Sequence, residues 1–387
     1  MELDDILKAG AQKGASDVHL KVGLPPIFRI DSALYPVKTL PRFTAEVLSG
    51  MIFSIMTETQ KKKFREEHEI DLSYGVKGLG RFRVNVFQQR GSLGAVLRII
   101  PMNVKSPEEL YLPKVIEKLA ENRRGLILVT GTTGSGKSTT LASIIDYINS
   151  TRTAHIITIE DPVEFLHRDK KSVITQREVG FDTLNFSGAL RSSLRQDPDV
   201  ILVGEMRDME TIEIAITAAE TGHLVLSTLH TLDAKETINR IVSVFPPHNQ
   251  HQIRLALSGV LKGVVSQRLV VKADGKGRVP AVEVMVSTSR IRECIAEAEK
   301  LKEIPDAIAA GHSMYGMQTF DQSLMELLKQ NLITYDDAMK NATNPDDFAL
   351  KMQGVSSASD GQWDEFEEKK KEKSKDINDS DIDIERF

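Results

Sequence analysis

Gly131-Thr132-Thr133-Gly134-Ser135-Gly136-Lys137-Ser138 follows directly on the apolar run Leu126-Ile127-Leu128-Val129 and leads into the helix-forming stretch Thr139-Thr140-Leu141-Ala142-Ser143-Ile144-Ile145. The spacing G-x-x-x-x-G-K-S between a strand and a helix is what a phosphate-cradling loop requires. Glycines at 131, 134 and 136 reach backbone angles closed to other residues, so successive N–H groups can turn inward on an anion while the following helix adds its positive end. Lys137 is then placed for the β- and γ-phosphates, and the Ser138 hydroxyl for a Mg²⁺ ion bridging them. Thr132, Thr133, Ser135 and Thr139 complete the expected nucleotide-binding run. A glycine-rich turn that binds nothing would need no lysine and hydroxyl side by side at the helix start. The reading is therefore a user of nucleoside triphosphates.

Outward from the loop, residues 114–287 alternate apolar, strand-sized runs with helical stretches: Leu126 to Val129, His155 to Ile159, Val200 to Val203 and Leu224 to Leu229. That order implies an α/β core with a parallel sheet covered by helices. Asp208 and Asp233 stand where helix caps belong, and Arg268 to Val271 with Val279 to Val286, joined by Asp274-Gly275-Lys276-Gly277, form an expected hairpin appended to the sheet. Before the core, Arg81-Phe82-Arg83-Val84-Asn85-Val86 alternates with period two, which turns Arg81 and Arg83 to one face together. Val18 to Val22, Ile27 to Ile30 and Ala95 to Ile100 suggest further strands of a small α+β domain over residues 1–100. Pro101, Pro107 and Pro113 mark 101–113 as a linker. Helical patterns fill 288–353, and the charged segment 354–387 is too poor in apolar residues to fold alone.

Composition narrows the class. The chain has 387 residues, 41% hydrophobic and 27% charged, ordinary for a soluble globular protein of two domains or more. Its single cysteine, Cys294, excludes an internal disulfide and any zinc site built from several cysteines, and suits a reducing, cytoplasmic setting. No basic-then-apolar leader opens the sequence, and no run approaches the length of a membrane helix. Residues 361–387 hold ten acidic against six basic side chains and so carry −4 of the net −5, leaving the body almost neutral. A near-neutral body with 5% aromatic residues does not fit a nucleic-acid partner.

Two acidic segments end strands of the core. In Val200-Ile201-Leu202-Val203-Gly204-Glu205, Glu205 stands where a Mg²⁺-directing carboxylate belongs, acting directly or through water. Ile157-Thr158-Ile159-Glu160-Asp161-Pro162-Val163-Glu164 offers three acids that could orient and deprotonate a water, and spacing does not choose among them. His230, after the last core strand, is placed to contact a γ-phosphate, with His223 as a weaker candidate ahead of the strand. Phosphoryl transfer often draws a further arginine from a neighbouring domain or subunit, and Arg81, Arg83 and Arg98 are available, although each also reads as a solvated residue on a polar sheet face.

The loop at Gly131 to Ser138, the acidic box Ile157 to Glu164, Gly204-Glu205, and Thr221-Gly222-His223-Leu224-Val225-Leu226-Ser227-Thr228-Leu229-His230 together resemble the type II/IV secretion ATPases. Ala15-Ser16-Asp17-Val18-His19, Gly80-Arg81-Phe82-Arg83 and Gly316-Met317-Gln318-Thr319-Phe320-Asp321 extend the likeness to the PilT subfamily, the pilus retraction or twitching motility motors, over residues 1–345. The resemblance implies a PAS-like amino-terminal domain, a RecA-like ATPase core and a homohexameric ring working with ATP and Mg²⁺. It also implies Glu164 as catalytic base, Glu205 as metal-directing acid, His223 and His230 as the histidine pair, and Arg83 and Arg98, with Arg81 beside them, as arginines that meet phosphate. Its implied partners are an inner-membrane platform protein, through it the pilin filament, and a paralogous pilus ATPase, so the protein would sit peripherally at the inner membrane. Extension motors carry a longer amino-terminal region and a four-cysteine zinc site, which one cysteine cannot supply. Arg290-Ile291-Arg292-Glu293-Cys294-Ile295-Ala296-Glu297 keeps only part of the Ala-Ile-Arg-Asn-Leu-Ile-Arg-Glu pattern of retraction motors, which leaves an accessory paralogue open. A nucleotide-gated scaffold with little turnover and a RecA-like nucleic-acid motor are the readings outside this family.

Overall fold

Alternation in Arg81 to Val86 does build a strand: Phe82, Val84 and Val86 are fully buried and Arg83 is exposed. The computed structural model describes residues 2–30, 33–101 and 103–352, and the charged segment expected to lack structure, 354–387, lies outside them. The described chain divides into two units. The first comprises Met1–Leu110, Ile116–Val129 and Lys137–Leu229, and the second Tyr111–Val115, Thr130–Gly136 and the chain from His230 onward.

Within the first unit, β1 (Asp17–Lys21), β2 (Ile27–Ile30), β3 (Ala33–Pro36), β4 (Glu69–Val76), β5 (Gly80–Gln89) and β6 (Ser92–Ile100) form an antiparallel sheet in the order β3-β2-β1-β6-β5-β4. One face is covered by the helix Leu3–Gln12, whose Leu3, Ile6 and Leu7 join Val18, Leu20, Phe82 and Leu97 in a core. The same unit holds the parallel strands. These are β7 (Gly125–Thr130), β8 (His155–Glu160), β9 (Val173–Glu178), β10 (Val200–Val203) and β11 (Leu224–Leu229), neighbouring one another in the order β7-β11-β10-β8-β9. β10 runs parallel to β8 and β11, and β8 parallel to β9. Every residue of β7, β10 and β11 is buried, the mark of strands covered on both faces. Asp208 caps the helix Met209–Glu220 by accepting from the Thr211 N–H at 2.9 Å.

The second unit contains the antiparallel hairpin β12 (Leu261–Val271) and β13 (Arg278–Val286), with Gly275 and Gly277 at positive φ in its turn. Helices follow from Ser289–Ala296 to Pro345–Met352, and Phe320, Leu324, Leu327 and Phe348 pack on Val270, Val279 and Ala281 of the hairpin. Asp233 caps the helix Ala234–Ser243 through the Glu236 N–H at 2.7 Å. The first N–H of that helix, Ala234, donates instead to the carboxylate of Glu283 on β13 at 2.9 Å. Burial pushes the Glu283 carboxyl up to about 7, against the pull of that hydrogen bond. Cys294 is enclosed by its helix and neighbours at 1% exposure, and burial raises its thiol. Among the described residues no helix is long and apolar enough to cross a membrane.

Candidate nucleotide site

β7 delivers the chain into Gly131–Gly136, and the helix Lys137–Thr151 begins at the lysine itself. The loop's shape depends on its glycines, with φ of +139° at Gly131, +79° at Gly134 and +93° at Gly136. Gly131 is further constrained by space, because a Cβ there would stand 2.4 Å from the Gln267 carbonyl oxygen and 2.6 Å from Ser135 Oγ. Thr132, Thr133 and Gly134 are exposed, whereas Ser135 is buried. A cavity of about 310 Å³ borders the loop, lined also by Leu232, Arg268, Arg278 and Asn341.

Lys137, Glu164 and Glu205 converge within the first unit. Burial lowers the Lys137 ammonium, and the charges of Glu205 and then Glu164 draw it back up. An ammonium desolvated between carboxylates is poised for an anionic ligand, whose charge would replace the water it has lost. Glu205 leaves the carboxyl end of β10 through Gly204, whose N–H donates to the Ile159 carbonyl at 2.8 Å and whose carbonyl accepts from Thr228 Oγ1 at 2.6 Å. This clamp fixes where the acid emerges. Its carboxylate pairs with the Arg207 guanidinium at 2.7 Å, which raises Arg207. Ser138, adjacent to Lys137, is exposed.

The three acids of the box separate by environment. Glu160 is raised by burial although Thr158 Oγ1 and Gln176 Nε2 both donate to it, at 2.6 and 3.3 Å. It is tied into the β8–β9 edge. Asp161 is exposed beside Pro162, and Glu164 is exposed while acting on Lys137. Of the three, Glu164 is the one whose charge reaches the lysine. Glu178 supports the box from β9: it accepts from the Val163 N–H at 3.3 Å and from Ser73 Oγ at 3.2 Å.

Two of the three arginines expected to meet phosphate stand on carboxylates. Arg81 lies 3.6 Å from Glu178, and Arg98 Nε donates to Asp17 at 2.8 Å. Burial opposes ionisation of Asp17, yet the Arg98 and Ser16 hydrogen bonds outweigh it and hold the carboxyl below the usual range. Arg83 lines a cavity of about 390 Å³ with Lys63, Glu67, Asp71, Asp161 and Glu178. The histidines occupy opposite ends of β11. His230 follows its carboxyl end and is exposed. His223 precedes it, bonded through Nδ1 to the Ala218 carbonyl at 2.9 Å, and its own carbonyl accepts from Gly125 N–H at the start of β7. The structure thus does not bring His223 to the end of the sheet where Lys137 stands.

Two contacts were invisible to sequence reasoning. One is the Arg207 guanidinium on Glu205, although the residues lie two apart in the chain. The other is Gln267, buried on β12, which donates through Nε2 to the Ser135 carbonyl at 3.2 Å. Its signal was a polar pair, Ser266-Gln267, set inside an otherwise apolar strand.

Comparison with known proteins gives consistent relatives. The family model described as "Type II/IV secretion system protein" matches residues 2–330. The chain is 49% identical over 348 residues to the type IV pilus retraction ATPase PilT of Pseudomonas aeruginosa, covering 90% of this chain and 100% of that protein. It is 42% identical to the type IV pilus ATPase PilU of the same organism, covering 90% and 91%. A crystal structure of the pilus retraction motor PilT with bound ADP superposes with a TM-score of 0.82 at 49% identity, over 90% of this chain and 98% of that one.

Proposed function

The chain belongs to the type II/IV secretion system protein family, and from that premise we propose that it is an ATPase whose hydrolysis powers retraction of a type IV pilus. The observation that carries this reading is a glycine loop at positive φ that runs in sequence straight into Lys137, a buried lysine on which the charges of Glu205 and Glu164 act. In this reading the loop N–H groups and Lys137 hold the triphosphate, and Glu164 takes a proton from the attacking water as its oxygen bonds to the γ-phosphorus, while the bond from that phosphorus to the oxygen shared with the β-phosphate breaks and ADP leaves with the oxygen. His230 reports on the γ-phosphate from the end of β11. Arg83 adds positive charge, as do Arg98 and Arg81 after leaving Asp17 and Glu178. His223, at the far end of β11, supports the strand.

Mg²⁺ is a hard cation that takes oxygen ligands, few of them from the protein. Ser138, exposed beside Lys137, and the half-buried Glu205 match that donor set, and Arg207 is the counter-ion that Glu205 would exchange. When bound there, Mg²⁺ would supply charge neutralisation on the phosphoryl group. At the level of the assembly we propose a homohexamer at the cytoplasmic side of the inner membrane, acting on pilin through a platform protein and alongside a paralogous pilus ATPase.

Purified Lys137→Ala protein should lose hydrolysis, and Glu164→Gln should bind ATP at near wild-type affinity while turnover falls about 10²-fold or more. Normal turnover in Glu164→Gln would remove that residue from the base role. A deletion strain with abundant surface pili and no twitching supports retraction, whereas loss of all pili supports extension. A second reading, an accessory motor beside another pilus ATPase, predicts residual twitching in the same strain.

A further inference from the structure

We propose that Gln267 is a positioning residue of the phosphate loop, aiming the Gly136 N–H at phosphate by holding the Ser135 carbonyl from behind. The assignment rests on the nucleotide-binding reading of the loop given above.

The argument begins with peptide geometry. In a trans peptide the carbonyl of one residue and the N–H of the next point in opposite directions. A donor that fixes the Ser135 carbonyl on one side of the loop therefore fixes the Gly136 N–H on the other. Gln267 Nε2 is that donor, at 3.2 Å, and a Cβ at Gly136 would come within 3.1 Å of the same nitrogen. Its main-chain oxygen meets the loop a second time, closing the space beside Gly131. One residue of β12 thus underlies the loop at Gly131, Ser135 and Gly136. Glycines at positive φ bring conformational freedom as well as reach, and an anion cradle that must order itself on binding loses affinity to that freedom. A rigid strand behind the loop removes the loss before the ligand arrives.

The support is itself anchored. Gln267 pairs with Val282 in the β12–β13 ladder, and the Val282 N–H donates to Ser323 Oγ at 3.0 Å. Its neighbour Ser266 accepts from Thr130 Oγ1, at the end of β7, at 3.0 Å. Arg268, next along, donates to the Asn341 carbonyl at 3.0 Å and lies 3.9 Å over the Phe320 ring. Packing alone does not explain an amide here. Gln267 is 2% exposed, and its Oε1, like Ser135 Oγ, has no hydrogen-bond partner among the described residues. A buried amide with one end unsatisfied costs stability, and an apolar side chain of the same length would avoid that cost. What the amide uniquely supplies is the donor on the loop.

The full chain with Gln267→Met, which keeps length and burial and removes the donor, is compared with wild type by steady-state hydrolysis, by equilibrium binding of a fluorescent ADP analogue and by melting temperature without nucleotide. The loop grips phosphate alike in ground and transition states, so KM for ATP and Kd for ADP should both rise about fivefold to tenfold with kcat within about twofold. Melting should stay level or rise. Gln267→Asn, whose amide stops one methylene short, should weaken binding in the same way, so a folding defect in either variant leaves the other to decide. Unchanged KM and Kd in both overturn the assignment, as does a fall in melting temperature with affinity intact, which is what a purely structural residue would give. A wild type that binds no ADP would instead remove the nucleotide reading on which the assignment stands.

Discussion

Lys137 shows how a single residue can be set up for its ligand by cost rather than by attraction alone. It is buried at the first position of a helix, where the peptide dipoles already present positive charge, and the charges of Glu205 and Glu164 offset that placement. Glu283 is the converse case, an acid held where ionisation is penalised. Its folded carboxyl is raised from 4.5 to about 7, so the native state binds the proton more tightly than the unfolded chain does. Stability contributed here is therefore full below about pH 4.5, falls as pH rises, and is lost above about pH 7, a swing of roughly 3 kcal/mol. Glu283→Gln keeps an acceptor for the Ala234 N–H and removes the titration. Differential scanning fluorimetry from pH 5 to 8 should show the wild type losing melting temperature relative to the variant, with the curves closest at pH 5. Parallel curves across that range would place the titration elsewhere.

At the scale of elements, what could be read in advance was what local chemistry decides. The loop between β7 and its helix, the caps at Asp208 and Asp233, and the strands of period two at Arg81 to Val86 follow from spacing within a few residues. β4 and β9 did not announce themselves, because β4 is interrupted by acids and glycine, and β9 is a polar edge whose Val173 is exposed. Such strands exist by pairing with partners already in place. The hairpin was anticipated only from Arg268, yet β12 begins at Leu261, since Gly263 and the polar pair Ser266-Gln267 break the apolar run. In the site, the reach of the Glu164 charge to Lys137 depends on the folded chain, and the Gln267 contact joins residues 132 apart in sequence. The last described helix, Pro345–Met352, is docked on the hairpin cluster through Phe348, which is fully buried. Phe348→Ala should lower unfolding stability by about 3 kcal/mol or more in chemical denaturation, and a change under 1 kcal/mol would mean that the helix does not need this anchor.

For the molecule as a whole, charge separates the motor reading from a nucleic-acid one. A body near neutrality with 5% aromatics is a composition unlike that of a protein built to hold single strands or duplexes by phosphate contacts and base stacking. Turnover at low ionic strength should be unaffected by added plasmid or oligonucleotide. Stimulation by DNA that faded with salt would revive the alternative. The lone sulfhydryl gives a practical corollary. Since Cys294 is walled into the interior and its thiolate is disfavoured, maleimide dyes should pass it by under native conditions, and any cysteine introduced on the exterior would become a unique address for fluorescence or spin-label rulers without first rebuilding the protein.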